Sequence, residues 1–589
     1  MQAVIDLLRD AIIDFSTKTY QTAFERASLV LERTKKEHQG DLTLLVFPLA
    51  KKVGQNPEAL CQEIGNFLLN KNIISEFNVI KGFLNLSLNS ETWTLLANHI
   101  IETPKTSNPE KIVLEYCGPN TNKPLHIGHI RNLFLGFSTA RILSMYGHDV
   151  HKVNIYNDRG IAICKSMMGY QLFGNGTTPE STGIKPDHFV GNFYVKYAQA
   201  LKTETEALIE KGMSPKEAEK KAPIAIANEE MLRKWEAGDE ETVSLWNQMN
   251  DWVYEGLKKT YEVLQVDFEK EYYESTEYLK GKEIVSEGLA KGVFKTDESG
   301  AAYIDLTEKG LDKKIVQRGD GTSIYITQDL ALIRERYRDY KMDRMIYVVA
   351  DEQNYHFKVL NEICQALQMD FSKSIYHLSY GMVTSKDGSK FKSREGTAAD
   401  ADDIIADIIE EAKNQTLETG KANHFSEAYL EDLSRIIGLG ALRFSMLKVN
   451  PKKNIPFDAK ENVDLNGDTA PFIQYSYVRT KALLNKANFE VPKTIALTKN
   501  IEETEKELLL QLAFFGKAIE QAALNYDPSE IAQYALGLAK AFNRFYHHCG
   551  ILNIEDAATK NQRLMLTWFT NIILEKSLWL LGIEAPEKM

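Results

Sequence analysis

Long apolar runs are missing from this 589-residue chain. No stretch approaches the ~18 uninterrupted apolar residues that a membrane-crossing helix needs, so the integral membrane class is set aside. Cysteine is scarce and scattered: Cys61, Cys117, Cys164, Cys364 and Cys549 form no C-x-x-C pair, which argues against a thiolate zinc site or a dithiol redox pair and for a reducing, cytoplasmic setting. Positive charge is not in excess. With 70 Lys and Arg against 82 Asp and Glu the net charge is −12, which excludes a histone-like coat of cations and leaves room for a local basic groove. The opening MQAVIDLLRDAIIDF sets carboxylates among its apolar positions and lacks a basic start followed by an apolar core, so export is not expected. Internal repeats and low-complexity tracts are absent too. What is present, 43% hydrophobic and 10% aromatic residues, is the composition of a folded globular protein of about four domains.

Periodicity divides the chain. Val4, Leu7, Leu8, Ala11, Ile12 and Phe15 make one stripe of an amphipathic helix, and apolar runs at Leu42–Phe47 and Gly82–Leu88 read as strands with a helical stretch, Pro57–Leu69, between them. This is an N-terminal α+β domain over 1–105, closed by the linker TPKTSNPEK. Beyond it KIVLEY, VHKVNIY, DRMIYVVA and IYHLSYGMV are short, continuously apolar strands spaced by helices, the texture of a doubly wound parallel sheet. That Rossmann-type α/β domain spans 106–397, interrupted by a charged helical insertion at about 168–303. A helical connecting region (398–460) and an all-helical bundle (461–589) follow.

The most informative stretch is KIVLEYCGPNTNKPLHIGHIRN. A strand ends near Glu115, a loop follows, and His126-Ile127-Gly128-His129 opens a helix. Histidines there stand beside free backbone N–H groups at the positive end of a helix, where nucleotide phosphates are stabilised. Taken alone, H-x-G-H equally suits two histidines capping a buried helix start. The strand-loop-helix context, at the first crevice of such a sheet, favours a ligand site. Far downstream GMVTSKDGSKFKSREG brings Lys386, Lys390, Lys392 and Arg394 together with Gly388, Ser393 and Gly396, a cationic loop suited to closing over a polyphosphate.

Together, HIGH and the degenerate KFKSR (for KMSKS) resemble the paired signatures of class I aminoacyl-tRNA synthetases. Within that class the chain is similar to the arginyl-tRNA synthetases, whose helical anticodon-binding domain is matched by FIQYSYVRTKALL, AKAFNRFYHH and the terminal LLGIEAPEKM. The resemblance implies ATP-dependent charging of the cognate tRNA with L-arginine through an arginyl-adenylate, with Mg²⁺ accompanying ATP, no protein-bound zinc, no membrane partner, and a monomer. It also implies that arginine activation needs bound tRNA, and that the N-terminal domain contacts the outer corner of tRNA.

Residue by residue, the resemblance puts ATP on His126, Gly128, His129, Asp351, His356 and Ser393. Arginine falls to Glu115, Asn120, His126, Tyr325, Asp329 and Gln353, and tRNA to Tyr477, Asn543, Tyr546 and Met589. Chemistry supports the amino-acid assignment, because a guanidinium is a flat fork of five donors that asks for carboxylates, and Asp329 with Tyr325 four residues earlier shares a helix face. His126, His129, Lys390, Lys392 and Arg394 are implied in catalysis. Aligned on KMSKS, Ser393 stands where most of the class has its second lysine, and family members with that loss commonly carry a lysine before HIGH, here Lys123. In YNDRG, Asp158 and Gly160 match a family run from which Asn157 and Arg159 depart. From Glu461 to Met589 there are 13 basic and 16 acidic side chains, so RNA binding there would rest on aromatic stacking and edge reading rather than bulk charge.

Rival readings fit less well. A cysteine enzyme would want zinc thiolates, an Ile, Leu or Val enzyme a larger editing insertion, and a glutamate enzyme cations where Glu115 and Asp329 stand. A small nucleotidylyltransferase can carry H-x-G-H but has no use for the helical C-terminal third, and a non-catalytic RNA-binding relative would not keep both histidines.

Overall fold

The structure is a computed structural model that describes residues 1–35, 37–322, 324–371, 374–385, 399–418, 425–492, 497–498 and 501–589. At the N-terminus β1 (Leu31–Arg33), β2 (Leu42–Leu45), β3 (Ile74–Ile80) and β4 (Phe83–Leu88) form an antiparallel sheet in the order β1-β2-β4-β3. Alternate apolar residues of β2 and β4, Leu42, Leu44, Leu84 and Leu86, are fully buried, and helix Pro57–Asn70 packs on the sheet. Asn56 starts that helix by accepting hydrogen bonds from the N–H groups of Glu58 and Ala59. The opening helix Gln2–Tyr20 buries Val4, Leu8, Ile12 and Phe15 of its stripe but leaves Leu7 exposed, with Ile5 buried instead.

The central sheet contains β5 (Lys111–Glu115), β6 (Asp149–Tyr156) and β7 (Lys270–Tyr273). After a small antiparallel sheet of β8 (Lys295–Thr296), β9 (Ala302–Asp305) and β10 (Lys313–Gln317) it is completed by β11 (Arg344–Ala350) and β12 (Ile375–Tyr380). All five strands are parallel, in the order β12-β11-β5-β6-β7. The chain therefore runs outward from β5 in one direction, returns, and runs outward from β11 in the other. That reversal opens a crevice between the carboxyl ends of β5 and β11, where ligands of doubly wound sheets bind.

The stretch 168–303, read from its texture as one helical insertion, is threaded by the sheet. Helices Pro186–Glu210, Pro223–Glu236 and Glu240–Val263 leave between β6 and β7, and β7 itself lies inside the segment. Its four residues KEYY carry no apolar run, since they form an edge strand with only Tyr272 buried. A short, half-exposed edge gives the sequence little signal.

Helix Ile127–Tyr146 is apolar around its whole circumference, with Ile130, Leu133, Phe134, Leu135 and Phe137 all buried. It lies between the sheet and the C-terminal bundle, so both of its sides need apolar cover. The bundle comprises Glu427–Leu447, Ala470–Ala487, Glu503–Ala513, Phe515–Asn525, Ser529–His548 and Ala557–Leu581. The segment Leu508–Leu524 is two helices that break at Phe514. Among the described residues Ala557–Leu581 alone is long and apolar enough to cross a membrane, but 67% of its most apolar window is buried in the bundle.

Candidate active site

The crevice at the β5/β11 switch point is a cavity of about 820 Å³. It gathers Glu115, Asn120, His126, Gly128, His129, Tyr325, Asp329, Gln353 and His356, residues that come from three segments of the chain, 115–129, 325–329 and 353–356. Its floor is fixed by Asn132. That side chain accepts from the Cys117 N–H at 2.6 Å and donates to the Val348 carbonyl at 2.6 Å and to the Tyr380 hydroxyl at 3.1 Å, tying the loop after β5 to β11 and β12. Cys117 is thereby held at φ 83°, a left-handed conformation uncommon outside glycine, just before Gly118 at φ 59°. Asn157 steadies the same loop through the Gly118 carbonyl at 3.0 Å.

At one end of the crevice the two histidines cap helix Ile127–Tyr146. His126 Nδ1 accepts from the Gly128 N–H and His129 Nδ1 from the His126 N–H, each at 3.1 Å, and the rings lie 3.9 Å apart. With both Nδ1 atoms accepting, the ring protons sit on Nε2, available to donate outward. Burial, with the Lys123 ammonium adding to it, pushes His126 down to about 4. Burial, then His126 and Lys123, pushes His129 lower still. Both imidazoles are neutral donors at physiological pH. Gly128 is needed first for the histidine itself, since a Cβ there would lie 2.9 Å from the His126 ring. Lys123 is exposed on the approach to this helix and close enough to act on both rings.

The opposite end is acidic. Asp329, on helix Tyr325–Tyr340, contacts His356 Nε2 at 2.5 Å, which sets His356 at this end of the crevice rather than beside the other histidines. Tyr325 begins the helix and is largely exposed at the mouth. Glu115 lines the wall, but its carboxylate is already paired with the fully buried Arg336, whose guanidinium lies over the rings of Tyr272 and Tyr347. Burial drives Glu115 upward, opposed by Arg336 and reinforced by Asp329. Two residues here escaped the sequence reading. Glu274, buried just after β7, is pushed up to about 7 by burial, against Arg159 and together with Asp158 and Asp329. It was hidden inside the presumed insertion. Arg336 did leave a signal, a charge seven residues after Asp329 and three after Ile333, on the buried face of its helix.

Asp351 opens an exposed turn after β11, outside the cavity wall. Lys386, Lys390, Lys392, Ser393 and Arg394 lie outside the described residues. On either side of them, β13 (Val383–Thr384) pairs with β14 (Ile455–Pro456), and Ala399 accepts from the Ile127 N–H at 3.3 Å. Asp158 is a buried brace, accepting from Ser275 Oγ at 2.6 Å and the Tyr254 hydroxyl at 3.0 Å. Arg159 stacks on Tyr278 and pairs with Glu236.

In the bundle the expected RNA contacts are divided. Tyr477 is 5% exposed and packs inward, as do Phe542 and Phe545. Tyr546 is half-buried, and Arg479, which donates to Asn543 Oδ1 at 2.5 Å, lies 4.8 Å from the centres of both the Tyr475 and Tyr546 rings. Met589 lines a small pocket together with Phe425, Ile437 and Tyr475.

Residues 92–459 match the family model described as class I tRNA synthetases (R), catalytic domain, residues 473–589 the DALR anticodon binding domain, and residues 2–88 the arginyl tRNA synthetase N terminal domain. An arginine–tRNA ligase of Parabacteroides distasonis is 46% identical over 589 residues, 98% of either chain, and one of Bacteroides fragilis is 45% identical over 594 residues, 99% of either. The Thermus thermophilus arginyl-tRNA synthetase structure superposes with a TM-score of 0.79 at 24% identity, covering 99% of this chain and 100% of that one.

Proposed function

The chain belongs to the arginine–tRNA ligases, class I aminoacyl-tRNA synthetases, and from that premise we propose how its crevice divides the reaction. The enzyme uses ATP to join L-arginine to its tRNA. The arginine carboxylate attacks the α-phosphate of ATP to give arginyl-adenylate and pyrophosphate, and the terminal adenosine of tRNA then attacks the activated carbonyl and releases AMP. The neutral His126 and His129 donate from Nε2 to the phosphates, fixed donors that need no reorganisation as charge moves toward the leaving pyrophosphate. Lys390, Lys392 and Arg394 add cationic charge there, and Lys123 stands in for the lysine replaced by Ser393. Asp351, at the rim between the cavity-lining Ala350 and Glu352, serves the adenosine side together with Ser393. Asp329, with Glu274 behind it, receives the guanidinium, while Asn120, Tyr325 and Gln353 hold the α-amino and carboxylate groups. Glu115 shapes the pocket as one half of an ion pair rather than as a bare anion.

Mg²⁺ enters on the phosphates of ATP. Among the described residues the group with ligand-like spacing is Asp187, His188 and Asp402, and the Lys185 ammonium already fills it. Tyr546, Asn543 and Met589 read the anticodon loop, with Arg479 between the two tyrosine rings, and the N-terminal domain meets the outer corner of tRNA. Five buried free cysteines suit a cytoplasmic enzyme, which we take to act as a monomer.

One observation carries this division: a neutral histidine pair on a helix N-terminus faces the carboxyls of Glu115 and Asp329 across a single cavity. ATP–pyrophosphate exchange with each amino acid, with and without total tRNA, tests it. Exchange with arginine alone is expected, and exchange with any other amino acid overturns the assignment of the acidic end.

A further inference from the structure

The helical insertion between β6 and β7 touches the phosphate end of the crevice through one polar network. Lys185, which caps helix Pro186–Glu210, donates to Asp402 Oδ2 and to Thr260 Oγ1, each at 2.5 Å. His188 Nε2 donates to the same Asp402 oxygen at 2.8 Å, and Thr260 Oγ1 donates to Asp402 Oδ1 at 3.1 Å. Both oxygens of one carboxylate are thus held by two insertion helices. Thr260 is 1% exposed, and against the burial that would raise it His188 and Lys185 hold the Asp402 carboxyl down at about 2.

Asp402 opens helix Ala401–Glu418, and the residues just before it are laced to the entrance of the histidine helix. Ala401 N–H donates to the Leu125 carbonyl at 3.0 Å, Ile127 N–H donates to the Ala399 carbonyl at 3.3 Å, and Asp400 bridges to His126. On the other side the insertion helix lies directly on the Lys123–Pro124 loop, where a Cβ at Gly191 would come within 2.8 Å of the Pro124 ring. The backbone that carries Lys123, His126 and Ile127 is therefore gripped from two directions by the same helix, once by direct packing and once through Asp402.

We propose that Asp402, held by Lys185, His188 and Thr260, is a positioning residue for adenylate formation: it clamps Ala399–Ala401 against Leu125–Ile127 and so fixes where His126 and Lys123 meet the phosphates. This rests on the crevice being the ATP site. It gives the insertion a part in the chemistry itself. Displacing a reacting arrangement by about 1 Å costs on the order of 10²-fold in rate. The Asp402 side chain is 28% exposed, and it is the joint hold of both insertion helices on its two oxygens that makes the clamp stiff.

Asp402→Asn keeps the shape and removes the charge, and Lys185→Met removes the partner. Each is expected to lower kcat/KM for ATP in pyrophosphate exchange by about ten- to a hundredfold while leaving KM for arginine within about twofold. The double variant should be no worse than the poorer single, because both break one network. Hydrogen exchange by mass spectrometry supplies a readout independent of activity: amides in peptides covering 125–130 and 399–404 should exchange faster in each variant. If Asp402→Asn does not fold, Thr260→Val, which removes one hydroxyl, carries the same test with a smaller shift in the same direction. Unchanged amide exchange at 125–130, faster exchange confined to the insertion peptide 185–193, or multiplicative losses in the double variant would overturn the proposal. Failure of the ATP-site reading is distinguishable, since the clamp variants would then still loosen 125–130 without touching ATP kinetics.

Discussion

At the histidine end of the crevice His126 and His129 are desolvated and neutral, whereas at the acidic end Glu115, Asp329 and Glu274 crowd together with Arg336, Arg159 and His356 beside them. In the division we propose, the first end receives a polyanion whose charge shifts during reaction, and fixed neutral donors at a helix N-terminus do so without losing a proton or a water shell. The second must recognise a cation that never changes its charge. The Asp329 carboxyl suits it, while burial and neighbouring carboxyls raise Glu115 and Glu274 and the internal Arg336 opposes that rise at Glu115. Each end is organised by the charge of its ligand.

If the ends are as separate as this, a change at one leaves the other's ligand untouched. Asp329→Asn should show the largest effect, about 3–5 kcal/mol in kcat/KM for arginine, the scale for leaving a charge unpaired once binding has covered an Asp329 side chain that is 35% exposed in the free enzyme. KM for ATP should stay put, and near wild-type charging at low arginine would remove Asp329 from the recognition set. Lys123→Ala comes next, with adenylate formation slowed about 10²–10³-fold, or ~2.7–4 kcal/mol, and arginine affinity intact. Adding Ser393→Lys should restore part of that rate. Strict additivity in the four-variant cycle would show that the two cations do not serve one phosphate.

A smaller effect is expected in the bundle, far from either end. Tyr546→Ala should weaken tRNA binding by about 1–3 kcal/mol, the worth of one stacked base, with KM for ATP unchanged. Global unfolding of that variant, seen by circular dichroism, would make the residue part of the core like Tyr477. The smallest effect concerns pH. His126 has a folded pKa near 4, below its ordinary 6.5, so its neutral form contributes stability that is present above pH 6.5 and lost as pH falls toward 4. Pyrophosphate-exchange rates should therefore show no histidine limb from neutrality down to the lower part of that window. A limb centred near 6.5 that disappears in His126→Asn would mean the ring titrates normally.

Much of this was legible in the sequence where function coincides with a local pattern. HIGH sits on a strand-loop-helix unit whose apolar strand and helix start announce themselves, and the histidine cap follows from three consecutive turns of chain. Glu274 was not legible, because the edge strand before it has one buried residue and its partner Asp329 is 55 positions away in sequence. The Glu115–Arg336 pair was missed for a related reason. A carboxylate at a strand end reads the same whether it faces ligand or an internal cation, and only the fold brings helix Tyr325–Tyr340 beside β5. In the bundle, helical spacing gives core and RNA-facing aromatics one signature, so Tyr477 and Tyr546 could not be separated until burial was known.

The most direct test of the acidic end compares arginine with citrulline, which keeps the shape and replaces the guanidinium by a neutral urea. Pyrophosphate exchange in the presence of tRNA would give the ratio of kcat/KM for the two amino acids in wild type and in Asp329→Asn. The account predicts a large preference for arginine in wild type that collapses by at least about 10²-fold in the variant, the scale of a buried charge pair. An unchanged ratio would contradict it, because the guanidinium would then be recognised by something other than the carboxylate of Asp329.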